Sequence, residues 1–472
     1  MNAKFSEDFL LTTETGKNIY NKYTAGMPVI NYYSKMKAKI ICENLQFADV
    51  AELFICQDEE RQNIMRSFRI DEKFITGDAS NYEKFQAFAE IMPDLAGTTI
   101  FLRTALELKR LFNIDEMLCK ENARQIFEYT GKIIAEKNIT PAYLLETFNT
   151  ELAATSEDPA DTLKFHQEIR AKEITNAKIV PVFDLQNPLS IEAKDFAQYM
   201  ERLSKASSIS VSSFSTLLIA LEKRLMDFQE EGASLSSAEV EDLQWVDYTP
   251  KEIEDIMRKG LNGQTLTTTD IVKYRCAFIY ELAKLNHKYK FTMQLQLGSY
   301  HGSPLPREKK TGFTSIFDTA NDSLILKCLG KIFNYLKKDN CMPDMILCPM
   351  TSYQQEILAV TAKEFGRNSD GTPVKIQIGM PWKLSSSLYG MKKHFEELAQ
   401  LQPFATAAGY TSNSSSLSSL CQHEIYRRLF CDLLGNLINQ GQFFAPEDKV
   451  EILVKKACTF NARQLCWNDK IQ

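Results

Sequence analysis

The chain has 472 residues, 44% hydrophobic and 25% charged, with a formal net charge of -6. That balance excludes a disordered polypeptide and offers no basic field for a phosphate backbone, so nucleic acid is not an expected partner. The 11 cysteines are scattered without a C-x-x-C pair, which excludes a disulfide framework and a thiolate zinc site and fits reduced thiols in the cytoplasm.

In chain order, residues 1–25 read as an N-terminal helical segment and residues 26–36, "GMPVINYYSKM", as a first strand that breaks into polar groups. Residues 37–145 are helical in pattern and read as an inserted subdomain, placed near the mouth of the fold because they follow a strand's C-terminal end. Beyond them, short β-rich runs recur between long amphipathic stretches: 150–155, 177–183, 207–213, 291–297, 345–350, 374–380 and 406–412. With the first strand these make eight, alternating with helices. The predicted fold is therefore α/β, a (β/α)8 TIM barrel with a large helical insertion after strand one, residues 146–440 forming the remainder of the barrel. Residues 441–472 read as a C-terminal helical segment. No apolar run approaches the roughly 20 residues of a membrane-spanning helix, so no membrane partner is expected.

The serine-rich stretches at 204–217 and 411–420 each overlap a predicted strand and read as strand ends. Asp158 and Asp161 in "SEDPAD" read as helix-capping acids, and "GSYHGSPLPREKKTG" as a loop. Of the five histidines, His166 and His423 read as packed helix residues, His287 and His394 as members of charged helical faces, and His301 as the one near a strand end. Such a distribution does not make a three-histidine site.

The stretches "FSEDFLLTTETGKNIYNKYTAGMPVINYY", "FITGDASNYEKFQAFAEIMPDLAG", "LELKRLF", "SEDPADTLKFH" and "HEIYRRLFCDLLGNLI" together resemble the uronate isomerase family of the amidohydrolase superfamily, over residues 5 to 465. The resemblance implies a (β/α)8 barrel that interconverts D-glucuronate or D-galacturonate with keto-uronates by proton transfer between adjacent carbons. It also implies a divalent metal held at strand ends and arginines that hold the sugar carboxylate.

Matched position by position, the implied site is replaced. The His-x-His pair of strand one falls on Tyr33 and Lys35, the histidine of strand five on Gln296, the aspartate of strand eight on Asn413, and the Asp-His pair of strand four on Ser213 and Phe214. The carboxylate-holding arginines fall on Asp184, His301 and Ser415. In the insertion, the family's acid-histidine-tyrosine segment becomes Asp58, Glu59 and Glu60, and its His-Trp-x-His becomes Leu102, Arg103, Thr104 and Ala105; Trp382 is kept beside Lys383, and Arg66 is kept. A phenol is a poor ligand and an ammonium cannot coordinate. The expectation is a lost metal site, no cofactor, and a Lys35–Asp184 charge pair filling the space. The predicted role is a catalytically silent homologue acting as scaffold, regulator or small-molecule binder. Its implied partners are a sugar acid or other small molecule, a second copy of the chain, or an active relative. The alternative is a metal-independent aldose–ketose isomerase using Lys35, Tyr33, Asp184, Glu59 and Glu60 as acid and base groups, with Arg103 or Lys383 holding the carboxylate.

Overall fold

The computed structural model describes residues 4–240, 245–300, 319–320, 325–380 and 387–466. Its strands are β1 (Val29–Asn31), β2 (Thr150–Glu157), β3 (Lys178–Asp184), β4 (Leu235–Val240), β5 (Thr292–Leu297), β6 (Ser299–Tyr300), β7 (Thr319–Ala320), β8 (Met345–Pro349) and β9 (Ile376–Ile378). Seven of them form one sheet in the order β1-β2-β3-β4-β5-β8-β9, and every neighbouring pair is parallel. β6 and β7 pair antiparallel as a small separate hairpin.

Side chains alternate across this sheet with period two, and the two faces have different fates. Phe183, Ala238, Val240, Met293, Leu295, Met345 and Leu347 face outward into a large apolar core under the helices. Phe183 meets Phe228 edge to face there, ring centroids 4.9 Å apart. Ile30, Leu152, Ala154, Val180, Val182, Leu235, Ile346 and Cys348 face inward and share one smaller core. Strands from one end of the sheet to near the other meet in that inner core, so the sheet curls as a half-barrel. Along β2, β3 and β4 the inner face turns from apolar to polar toward the C-terminal end: Leu152, Ala154, Ser156; Val180, Val182, Asp184; Leu235, Ser237, Glu239.

Two sequence-predicted strands are corrected. Residues 207–213 close one helix and open the next. Ser213 is the N-cap of the helix Phe214–Glu230, its hydroxyl accepting from the Thr216 N–H in a reciprocal capping box, and Phe214 packs in the outer core. Serine favours such caps because its oxygen satisfies a free N–H of the first helical turn. The strand at that place in the sheet is β4, "LSSAEV", which follows Gly232 at φ +91°. The second correction is residues 406–412, which form no ladder strand. They lie along the free side of β1 through side-chain bonds: Ser412 N–H donates to Asn31 Oδ1 at 2.8 Å and Tyr33 N–H to Thr411 Oγ1 at 3.0 Å.

Between β1 and β2 the chain runs through helices, including Glu59–Ser67, Asn81–Ile91, Thr99–Phe112 and Ala123–Lys137. Ser80 and Glu83 form a capping box at the start of Asn81–Ile91, and Thr98 caps Thr99–Phe112. Their apolar faces form a core that extends to Ala153, Ile169 and Leu420, packing the region on the flank of β1 and β2. The helices Glu14–Ile19 and Gln422–Asn439 touch at backbone distance: a Cβ on Gly435 would sit 2.5 Å from the Gly16 nitrogen. Among the described residues no helix is long and apolar enough to cross a membrane.

Candidate active site

A cavity of about 230 Å³ opens at the C-terminal ends of β1 to β5, lined by Tyr33, Lys35, Asp184 and Gln296. Lys37, Ser156, Gln186, Ser237 and Glu239 complete its walls. Register explains the grouping. Asp184 stands beside Ser237, and Glu239 beside Gln296, on neighbouring parallel strands. The inner face that is apolar at depth thus becomes a ring of oxygen and nitrogen atoms at its rim.

The ring's hydrogen bonds fix each group. Tyr33 is 3% exposed, and its hydroxyl bonds the side chains of Ser237 and Gln296. Burial, then the nearby Asp184 and Glu239 carboxylates, raise its pKa above the usual phenol range, so it is neutral throughout the physiological range. Asp184 lies deep in the protein yet opens onto the cavity. Its Oδ2 accepts from the Ser156 hydroxyl and its Oδ1 from the Gln186 N–H at 3.1 Å. Burial raises its pKa, and the Ser156 and Gln186 bonds, then Lys37 and Lys35, oppose that rise. Lys37 donates to the Ser156 carbonyl and approaches Glu157 at 4.0 Å. Glu157 in turn accepts from Ala38 N–H at 3.0 Å, at the start of the helix Ala38–Glu43.

Lys35 is anchored by its backbone N–H to the Ser414 carbonyl at 3.1 Å, while its ammonium has no protein partner among the described residues. The expected Lys35–Asp184 pair therefore does not form. Asp184 is already engaged by Ser156 and Gln186, which are nearer in the fold, and it meets Lys35 only as a through-space charge. The arrangement can bind a compact hydroxylated molecule through several fixed donors and acceptors, with one uncommitted cation at the edge.

The remaining predicted positions among the described residues do not join this cavity. Ser213 is the helix cap described above. Asn413 adopts a left-handed backbone at φ +46° beyond Ser412, and Ser415 donates to the Gln57 carbonyl at 2.8 Å, tying the segment to the helical region. Arg103 is 1% exposed and belongs to a buried ionic cluster, pairing with Asp58, with Glu60 at 2.9 Å and with Glu107 at 3.8 Å. Arg61 completes that cluster against Asp58 and Glu107. Glu59 stands in the first turn of its helix, after the Asp58 N-cap, and Arg66 pairs with Glu72 at 2.7 Å. A carboxylate-holding role for Arg103 is thereby corrected, since its charge is already balanced inside the protein. His301, Trp382 and Lys383 lie outside the described residues.

The four described histidines also sit in the framework. His166 lies 2.9 Å from Thr155 Oγ1, His394 2.7 Å from Gln355 Oε1, His423 3.3 Å from Asn31 Oδ1 and His287 3.1 Å from the Met342 carbonyl. His394 is buried rather than part of a charged face. Asp158 binds Ala160 N–H at 2.7 Å and Asn187 at 2.7 Å, ordering a turn rather than capping the following helix. Sequence reasoning missed Lys37, Ser156, Gln186, Ser237 and Glu239. The signal that could have found Ser237 and Glu239 was Gly232 at the end of a long helix, followed by eight residues, 233–240, ending in valine.

The sequence pattern of the glucuronate isomerase family matches residues 1–466 of this chain. The chain belongs to that family. It is 33% identical over 462 residues to a uronate isomerase of Shouchella clausii, covering 98% of both chains, and 31% identical to one of Clostridium perfringens, covering 98% of this chain and 99% of that one. Its fold is similar to the crystal structure of a uronate isomerase from Thermotoga maritima, with a TM-score of 0.90, 25% identity and coverage of 98% and 99%. A glucuronate isomerase from Caulobacter crescentus shares the fold with a TM-score of 0.89 at 19% identity, covering 100% of this chain and 98% of that one.

Proposed function

We propose that this protein is a (β/α)8 barrel of the uronate isomerase type, closed by residues 406–412 and carrying residues 37–145 as a helical insertion, that has given up metal-assisted isomerisation. In this reading the strand-end cavity holds a compact polar ligand without turning it over. The observation that carries the proposal is the donor set. A divalent ion of this family would be taken by imidazole and carboxylate groups. The cavity offers instead a neutral phenol already bonded to Ser237 and Gln296, and two carboxylates that share the space with the Lys35 and Lys37 ammoniums. Those residues do not fit the ion. The arginine positions for a sugar carboxylate support the same reading: Asp184 would repel the carboxylate when ionised, and Ser415 is turned to Gln57.

A metal titration tests this. The full chain, titrated with zinc and separately with manganese, is expected to bind substoichiometrically. The double variant Tyr33→His/Lys35→His, which restores two imidazoles on one face, is expected to bind more tightly. One tightly held ion per wild-type chain, lost on Gln296→Leu, would overturn the proposal.

One observation favours a second reading. Among the described residues the Lys35 ammonium lacks a protein partner, and Asp184, whose pKa is raised by burial, acts on it as a through-space charge, so the pair could serve a metal-independent aldose–ketose isomerase acting on D-glucuronate or D-galacturonate, Lys35 meeting the sugar carboxylate and Asp184 moving the proton. Turnover in the presence of a strong chelator, abolished by Lys35→Met, would establish it.

A further inference from the structure

Five arginines are deeply buried among the described residues: Arg61, Arg103, Arg224, Arg427 and Arg428. Buried charges are ordinarily paired, because an unpaired one forfeits its hydration with nothing in return. Arg61, Arg103, Arg224 and Arg428 each meet a carboxylate. Arg427, 5% exposed, has no such ion pair among the described residues. Its Nη1 donates to the Met27 carbonyl at 2.6 Å and its Nη2 to the Pro28 carbonyl at 2.7 Å, while its Nε has no acceptor. Each Nη carries a second hydrogen, for which the described residues supply no acceptor.

This guanidinium lines a second cavity, of about 430 Å³, bounded by Asn21, Val29, Thr147, Arg110 and Arg428 among others. It lies by the N-terminal end of β1, whereas Tyr33 and Lys35 lie beyond the C-terminal end of the same strand. The charges around it do not cancel. Arg110 and Arg428 share Glu424, at 2.8 and 2.9 Å, and Arg110 also pairs with Glu7 at 3.0 Å. Two carboxylates therefore face three guanidiniums. Arginine keeps its charge in proteins and its fork matches the paired oxygens of carboxylate and phosphate.

We propose that this cavity is a binding site for a small oxyanion, a phosphate- or carboxylate-bearing molecule, held on the outer Nη hydrogens of Arg427. The site is independent of the strand-end cavity and of whether that cavity is catalytic.

Isothermal titration calorimetry on the full chain tests it, with inorganic phosphate and with acetate as separate titrants at constant ionic strength. One saturable site for at least one of the two is expected, and the arm that saturates identifies the class. Arg427→Gln should weaken that binding at least about tenfold. Arg427 also anchors the chain before β1, so Asn21→Glu, an exposed position on the cavity wall, provides a second variant that places a negative charge at the site without touching that anchor. It should weaken binding by a similar factor, and Lys35→Met should leave it unchanged. Absence of saturable binding in both arms would overturn the proposal. So would binding that survives both Arg427→Gln and Asn21→Glu, and so would binding lost on Lys35→Met, which would place the anion in the strand-end cavity.

Discussion

At the scale of single residues, burial sets the chemistry more than residue type does. Tyr33 is a neutral phenol held by hydrogen bonds to the Ser237 and Gln296 side chains. Tyr33→Phe removes one partner from buried polar groups, an asymmetry that costs about 1–3 kcal/mol, and should lower the urea midpoint accordingly. The buried histidines make a second prediction. Burial lowers His166 to about 4 and His394 to about 3, and His423 well below its usual value, with Arg427 adding to the last. In the unfolded chain a histidine titrates near about 6.5. Since the folded pKa values are lower, the unfolded state binds more protons between the two values. This contribution is complete above about pH 6.5 and is lost as pH falls toward the folded values. Urea midpoints should drop from about pH 7 to about pH 5, and His394→Gln should drop less steeply. An equal slope in wild type and variant would contradict the assignment.

At the scale of elements, the serine-rich stretches separate into two physical roles that composition alone does not distinguish. Ser213→Ala should cost about 1 kcal/mol through loss of the N-cap of Phe214–Glu230 and leave ligand binding in the strand-end cavity untouched, measured by denaturation and titration on one sample. A change in cavity binding would return Ser213 to the site. Most of the sheet was legible because β3 and β8 are apolar runs and β5 alternates apolar and polar residues, each bounded by helical patterns. β4 was not, because serine, alanine and glutamate carry little strand preference and the strand exists through its pairing with β5. Misplacing it put the predicted site residue Ser213 on a helix cap, while Ser237 and Glu239 of the actual strand line the cavity. Lys35, Tyr33, Asp184 and Gln296 were legible because their strands were. The ionic cluster was not, since nothing local in "LRTALELKR" says that Arg103 turns inward onto Asp58. Arg103→Met should destabilise the fold by about 3–5 kcal/mol, the penalty for stranding buried carboxylates, a cost readable in chemical denaturation.

At the scale of the whole molecule, a parallel sheet with an apolar interior and polar strand ends is the part of the family architecture that this chain keeps, and it keeps it over nearly its full length. Packing and chemistry separate cleanly because they occupy different stretches of the same strands: inner residues near the N-terminal ends build the core, and those at the C-terminal ends face the cavity. Replacement at the rim would leave the core intact, so the loss of metal-assisted chemistry that we propose is compatible with this parallel half-barrel. The proposed loss of activity is tested most directly by turnover. A coupled assay with D-glucuronate and D-galacturonate, with and without added zinc or manganese and with metal content determined on the same protein, should show no appreciable isomerisation under any condition; robust metal-stimulated conversion of either sugar acid would contradict it.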